Sequence, residues 1–135
     1  MNSLDNALQE FWGSFGIQAF AGYAFSHEDS GKRVRPKFPY IIYELKRPAF
    51  GSATIMSASV WDRQSATPAF RGRVNHILEQ IEARIPEGGL LVKFDGGSVW
   101  LMRASNFIEF PALPDPDDAL IVRAVVGLEM RGFMV

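Results

Sequence analysis

The chain contains no cysteine. That excludes disulfide staples, thiolate metal sites and a cysteine nucleophile, and it is compatible with a reducing cytosol. Histidine is nearly as scarce, with only His27 and His76. A metal-binding histidine needs ligand partners at short spacing. One helical turn either side of His76 stand Gly72 and Gln80, neither of which forms a ligand pair with it. No serine lies in a strained Gly-x-Ser-x-Gly turn, although a triad assembled from distant residues is not formally excluded by sequence. Gly88-Gly89 and Gly96-Gly97 are not followed by Gly-Lys-Ser/Thr and open no helix, so they are not phosphate cradles. Asp115, Asp117 and Asp118 resemble a calcium loop only superficially, because Pro114 and Pro116 interrupt the ligand spacing. Neither sign of charge dominates: the formal net charge of −1 argues against a general nucleic-acid binder but leaves room for a local basic patch. No apolar run reaches the ~18 residues needed to span a bilayer. The opening MNSLDNALQEFWGSFG lacks a basic region and carries Asp5 and Glu10, so it does not read as a signal peptide.

What is present fits one globular domain. At 135 residues the chain can bury roughly two-thirds of its unfolded surface, enough for a core without staples. Residues 4–15 predict an amphipathic helix, with Leu4, Leu8, Phe11, Trp12 and Phe15 on one stripe, Ser3 as cap and Gly13 and Gly16 weakening its end. Ile17–Phe25 predicts a strand. Ser26–Lys37 is a polar stretch holding Gly31, Pro36 and the cations Lys32, Arg33, Arg35 and Lys37. It reads as a mobile loop, or as an arm that orders against a neighbouring subunit, an acidic partner or passing DNA. Pro39–Leu45 and Ala53–Trp61 predict a β-hairpin around Lys46–Ser52, where Pro48 and Gly51 suit a reversal.

A second helix is expected over Pro68–Ile85, with Thr67 as N-cap and Pro68 at its first position. Its stripe is Phe70, Val74, Ile77, Leu78, Ile81 and Ile85. Leu90–Phe94 and Ser98–Arg103 flank Asp95-Gly96-Gly97, a strong hairpin signal. Asn106–Phe110 reads as one more short strand, PALPDPDD at 111–118 as a Pro/Asp loop, and Ala119–Val135 as a long strand with Leu120, Val122, Ala124, Val126, Leu128 and Met130 on one parity. Short links between strands favour antiparallel pairing. The expected fold is therefore α+β: a mostly antiparallel β-sheet with two helices packed on one face, a single two-layer domain.

With no reaction centre in view, the remaining reading is assembly. Trp61, Arg63 and Trp100 are residue types enriched in interface hot spots, with core packing as the alternative for the tryptophans. Lys46, Arg47 and Phe50 in the first hairpin loop are candidates for a subunit contact.

Phe38-Pro39-Tyr40-Ile41-Ile42-Tyr43-Glu44-Leu45, Phe50-Gly51, Ile55 through Val60-Trp61-Asp62-Arg63, the Val74–Ile85 helix, Gly88-Gly89 and Asp95-Gly96-Gly97-Ser98-Val99-Trp100-Leu101 follow one another in a familiar order. This order, over about residues 36–132, resembles small phage and prophage minor tail proteins of the tail-terminator, or tail-completion, type. The resemblance implies an antiparallel α+β fold with helices and no enzymatic activity or cofactor. It implies a homo-oligomeric ring, commonly hexameric, that caps the finished tail tube and prepares head–tail joining. The implied partners are the tail tube and the neck or connector proteins, with a passing contact to DNA and no membrane. The implied location is the virion tail, with the host cytoplasm before assembly. Other roles left open are a head–tail connector or neck component, or a small nucleic-acid- or protein-binding module. The aromatic N-terminal helix and the cationic 32–37 stretch depart from the family pattern, and no binding residue transfers by motif.

Overall fold

The computed structural model describes residues 3–22, 27–29, 32–34, 37–47, 52–63, 73–110 and 120–134. Helix α1 (Leu4–Gly13) forms where the apolar stripe predicts it, and buries Leu4, Ala7, Leu8, Phe11 and Trp12. Ser3 caps it: its hydroxyl accepts the Asn6 N–H at 3.2 Å. The helix stops at Gly13, two residues before the expected end, and the Ser14 N–H turns back to the Phe11 carbonyl at 3.2 Å. Phe15 nonetheless stays in the core, edge-on to Phe11 with ring centroids 5.5 Å apart.

Among the described residues eight strands follow in the sequence order β1 (Gln18–Ala21), β2 (His27–Asp29), β3 (Lys32–Val34), β4 (Tyr40–Tyr43), β5 (Thr54–Arg63), then, after helix α2 (Val74–Arg84), β6 (Leu90–Phe94), β7 (Gly97–Glu109) and β8 (Ile121–Met134). Six of them make one curled sheet in the order β1-β4-β5-β8-β7-β6. All its neighbours are antiparallel except β1 and β4, which run parallel in the register Gln18 with Tyr40. The parallel pair arises because the chain leaves β1 and returns through residues 22–39 before starting β4. The expected β4–β5 hairpin is present, with Tyr43 opposite Ala58. The last strand, β8, lies between β5 and β7 in the middle of the sheet.

Period two decides the faces. Met56, Ala58 and Val60 of β5, and Ala124, Val126, Leu128 and Met130 of β8, point into one core and are essentially inaccessible. Helix α2 packs on β5 and β8 at the sheet centre, burying Val74, Ile77, Leu78 and Ile81. Helix α1 touches both β1 and β6, the two edges of the sheet. The sheet therefore curls around the helices, and α1 fills the gap between its edges. The expected α+β domain with two helices on one face is the observed architecture.

Three local expectations change. Within 26–37, read as loop, β2 and β3 pair antiparallel with Asp29 opposite Lys32 and form a two-stranded sheet of their own. The strands expected at 98–103 and 106–110 are one strand, β7, interrupted by a register shift between Arg103 and Ile108. That shift stands over Gly127, where a Cβ would lie 3.0 Å from the Asn106 carbonyl oxygen. Gly127 thus gives room to the bulge of the neighbouring strand. The expected helix start at Thr67–Gly72 and the Pro/Asp loop at 111–118 lie outside the described residues. The described part of α2 begins with Arg73 as its N-cap residue, which makes no side-chain cap bond of its own.

Candidate functional site

The charges on the inner face, of which Asp62 is buried, serve the second helix. Asp62 continues the core parity of β5 and is only 1% exposed. Its carboxylate accepts the Arg73 N–H at 3.1 Å, Arg73 Nε at 3.0 Å, Arg73 Nη2 at 2.7 Å and the Arg63 N–H at 2.8 Å. It caps α2 from a neighbouring strand, placing negative charge at the positive end of the helix dipole. The hydrogen bond to Asp62 raises the Arg73 pKa further above its ordinary value. At the other end, Arg103 of β7 donates from Nε to the Ile85 carbonyl at 2.7 Å and from Nη2 to the Glu82 carbonyl at 3.0 Å. These are terminal carbonyls that a helix cannot satisfy internally. Arg84 joins the helices to each other, donating to Ser14 Oγ at 2.9 Å with its guanidinium 5.4 Å from the Phe11 ring centroid.

The outer face divides into two parts. Over β1, β4, β5 and β8 it carries an aromatic row. Phe38 stacks on Tyr40 at 5.3 Å, Tyr40 on Trp61 at 6.2 Å, and the Arg123 guanidinium lies 5.3 Å from the Trp61 ring. Tyr40 is buried in this row although it faces away from the core. Trp61 Nε1 and Arg123 Nε are buried there and have no hydrogen-bond partner among the described residues.

Towards β6 the outer face is open. The cross-strand rows are Ile55–Glu129–Met102, Leu91–Trp100–Arg131 and Lys93–Ser98–Phe133. Ile55 is 67% exposed, Phe133 48%, Leu45 46% and Leu91 40%, and these are the large apolar side chains that water reaches most. Apolar side chains interleaved with charges on an unpacked sheet face mark an interaction surface. Between α1 and β6 runs a shallow cleft of about 270 Å³, lined by Ala7, Glu10 and Phe11 of α1, by Arg84 and by Leu90–Lys93.

The sequence candidates scatter over this framework. Lys46 and Arg47 are exposed at the end of β4. Lys46 Nζ pairs with Glu44 at 3.1 Å and donates to the Ile55 carbonyl at 2.9 Å, while Arg47 reaches Asp5 at 3.5 Å. Glu44 also accepts the Ser57 hydroxyl at 2.6 Å and the Ser57 N–H at 2.9 Å. Partial burial alone would raise the Glu44 carboxyl, but the bonds from Ser57 and Lys46 outweigh it and hold its pKa below the ordinary value. Trp61 belongs to the aromatic row, and Arg63 closes β5 with an exposed side chain. Lys37 is exposed just before β4; Lys32 and Arg33 lie on β3. Arg35 and Phe50 lie outside the described residues. The structure therefore does not gather these candidates at one point.

His76 is exposed on α2 and its Nε2 shares a hydrogen bond of 2.9 Å with Gln80 Nε2. Among the described residues no group of three or more His, Asp or Glu could hold a metal ion, and no described helix is long and apolar enough to cross a membrane. The residues missed by sequence reading are Asp62 and Arg103 as helix anchors, and Leu91 and Phe133 as exposed apolar groups. A signal existed for the first two: each is a charge placed on the core parity at the end of an apolar alternation, Met56-Ala58-Val60-Asp62 and Val99-Leu101-Arg103. No family model matches the chain, and no curated protein matches it either.

Proposed function

We propose that this chain is a non-enzymatic structural protein of a phage or prophage tail, one copy of a ring that caps the tail tube and prepares it to join the head. One observation carries the reading. Asp62 and Arg103 are engaged in holding α2, whereas the apolar side chains of Ile55, Leu91 and Phe133 are exposed on the outer face of the sheet. Such a distribution suits a protein whose work is contact with other proteins. The order of elements over residues 36–132 supports the tail reading, since those residues build most of the curled sheet and its central helix. A ring needs a heterologous interface, in which one patch meets a different patch on the next copy. The open outer face over β5, β8, β7 and β6 supplies one such patch.

The test is assembly of tails without the protein. Negative-stain imaging should show tubes of uncontrolled length or tubes that fail to join heads. Tubes of normal length that join heads without this chain would refute the role. Tubes of normal length that fail to join heads would assign it to the neck.

A further inference from the structure

We propose that Asp95, in the turn between β6 and β7, is a site of spontaneous isoaspartate formation, a modification that lengthens the turn and loosens one end of the open outer face. The proposal stands apart from the tail reading. Asp95-Gly96 is the one place in the chain where an aspartate or asparagine precedes glycine. Glycine leaves the amide uncrowded, because it has no Cβ. The fold keeps the pair accessible. Asp95 and Gly96 are the two exposed residues between the paired ends Phe94 and Gly97. Nothing stands within 4 Å of where a Gly96 Cβ would be. Among the described residues the Asp95 carboxylate has no hydrogen-bond or ion-pair partner, and the Gly96 N–H makes no backbone hydrogen bond. Asp62 is the contrast. Its carboxylate also meets the N–H of the next residue, but it is buried and fully engaged with Arg63 and Arg73.

The chemistry needs only water. The Gly96 amide nitrogen gives its proton to solvent and bonds to Cγ of the protonated Asp95 carboxyl. The carboxyl's hydroxyl leaves with a solvent proton as water, which closes a five-membered succinimide. Water then adds to either ring carbonyl. Cleavage of the Cγ–N bond restores aspartate. Cleavage between the Asp95 carbonyl carbon and the Gly96 nitrogen leaves the chain running through Cβ and Cγ, with the α-carboxylate free. One water leaves and one returns, so mass is unchanged, but the main chain is longer by one carbon. The length of a two-residue turn sets the register of its hairpin. β7 cannot slide to absorb the extra atom, since Gly97 lies so close to the Phe133 carbonyl that a Cβ would overlap it. The strain falls on β6, at the pairs Phe94–Gly97 and Lys93–Ser98. Lys93 and Ser98 share an outer-face row with Phe133, so conversion alters the surface at this end of the sheet.

Trypsin, which cuts after Lys93 and Arg103, frees residues 94–103 with Asp95 and the strongly absorbing Trp100. The folded chain is held at physiological temperature in mildly acidic buffer and digested at intervals. A second peak of identical mass is expected for this segment, absent at the start and growing with time. An intermediate lighter by one water should precede it, and isoaspartyl methyltransferase should label the new peak. Asp95→Glu should lose all of these signals, since its ring would need six members. Absence of the second peak from the folded chain overturns the proposal, whether or not unfolding in urea releases it. A labelled peak that persists in Asp95→Glu also overturns it. Hydrogen exchange of the aged chain reads the consequence. Amides of Leu90–Phe94 should lose protection in proportion to the converted fraction, with those of α2 unchanged. Protection of Leu90–Phe94 equal to that of the fresh chain overturns the effect on the outer face.

Discussion

Replacing Asp62 with alanine asks which of its bonds holds α2. The carboxylate serves two backbone donors, the N–H groups of Arg63 and Arg73, and two donors of the Arg73 guanidinium. The two partners are unequally placed. The Asp62 side chain is 2% exposed, whereas that of Arg73 is 61% exposed. A freed Arg73 guanidinium therefore returns to water at little cost, and its pairing is worth at most about 1 kcal/mol. The backbone donors have no such freedom, and each unsatisfied N–H costs about 1 kcal/mol or more. Asp62→Ala should then lower stability by about 2–3 kcal/mol, a large share of the ~5–15 kcal/mol typical of a domain. Arg73→Ala should cost about 1 kcal/mol or less, because Asp62 keeps both backbone donors. Urea unfolding of the two variants and their double mutant gives the coupling. Arg73→Ala as damaging as Asp62→Ala would show that the ion pair, and not the backbone cap, anchors the helix.

At the other end of α2, Arg103→Met keeps most of the stem but removes the donors to Ile85 and Glu82, so it should cost about 1–2 kcal/mol in urea unfolding; an unchanged midpoint would remove Arg103 as an anchor. Glu44 supplies a pH dependence. Its folded pKa lies below its unfolded value, so its contribution is present above the unfolded pKa of ~4.3 and is lost as pH falls through the folded pKa. With the Glu44 side chain 44% exposed, Glu44→Gln should cost less than about 1 kcal/mol at neutral pH. The variant and the unmodified chain should converge in thermal unfolding below pH 4, and a difference of constant size down to pH 2 would contradict the assignment.

The elements legible in the sequence are those whose burial follows one period. The α1 stripe and the alternation in β8 translate directly into the core, as does the Asp95-Gly96 hairpin. Features that depend on distant partners were not legible. Nothing local in Ile17–Phe25 tells that β1 lies parallel to β4, because the crossover is set by the sheet and not by the strand. The break in β7 depends on Gly127, a residue of another strand. Tyr40 sits on the outward parity yet is buried, because an aromatic row packs on the second face. The exposed band was illegible for a related reason: Leu91 and Phe133 look like core residues until pairing assigns them to the outer side.

The position of β8 governs how the chain can fold as it is made. β8 is the last strand in sequence but lies inside the six-stranded sheet, third from the β6 end and fourth from the β1 end. Until it emerges, the nascent chain holds two fragments, β1-β4-β5 and β7-β6, each ending in a long strand with one side unpaired. Those two sides are β5, with ten residues, and β7, with thirteen. Helix α1 has the same dependence, since one of its two supports is β6, some eighty residues downstream. Closure is thus dominated by long-range contacts, which fold slowly. During synthesis the open sides of β5 and β7 are the surfaces most exposed to wrong strand pairing, and completion of β8 removes both at once.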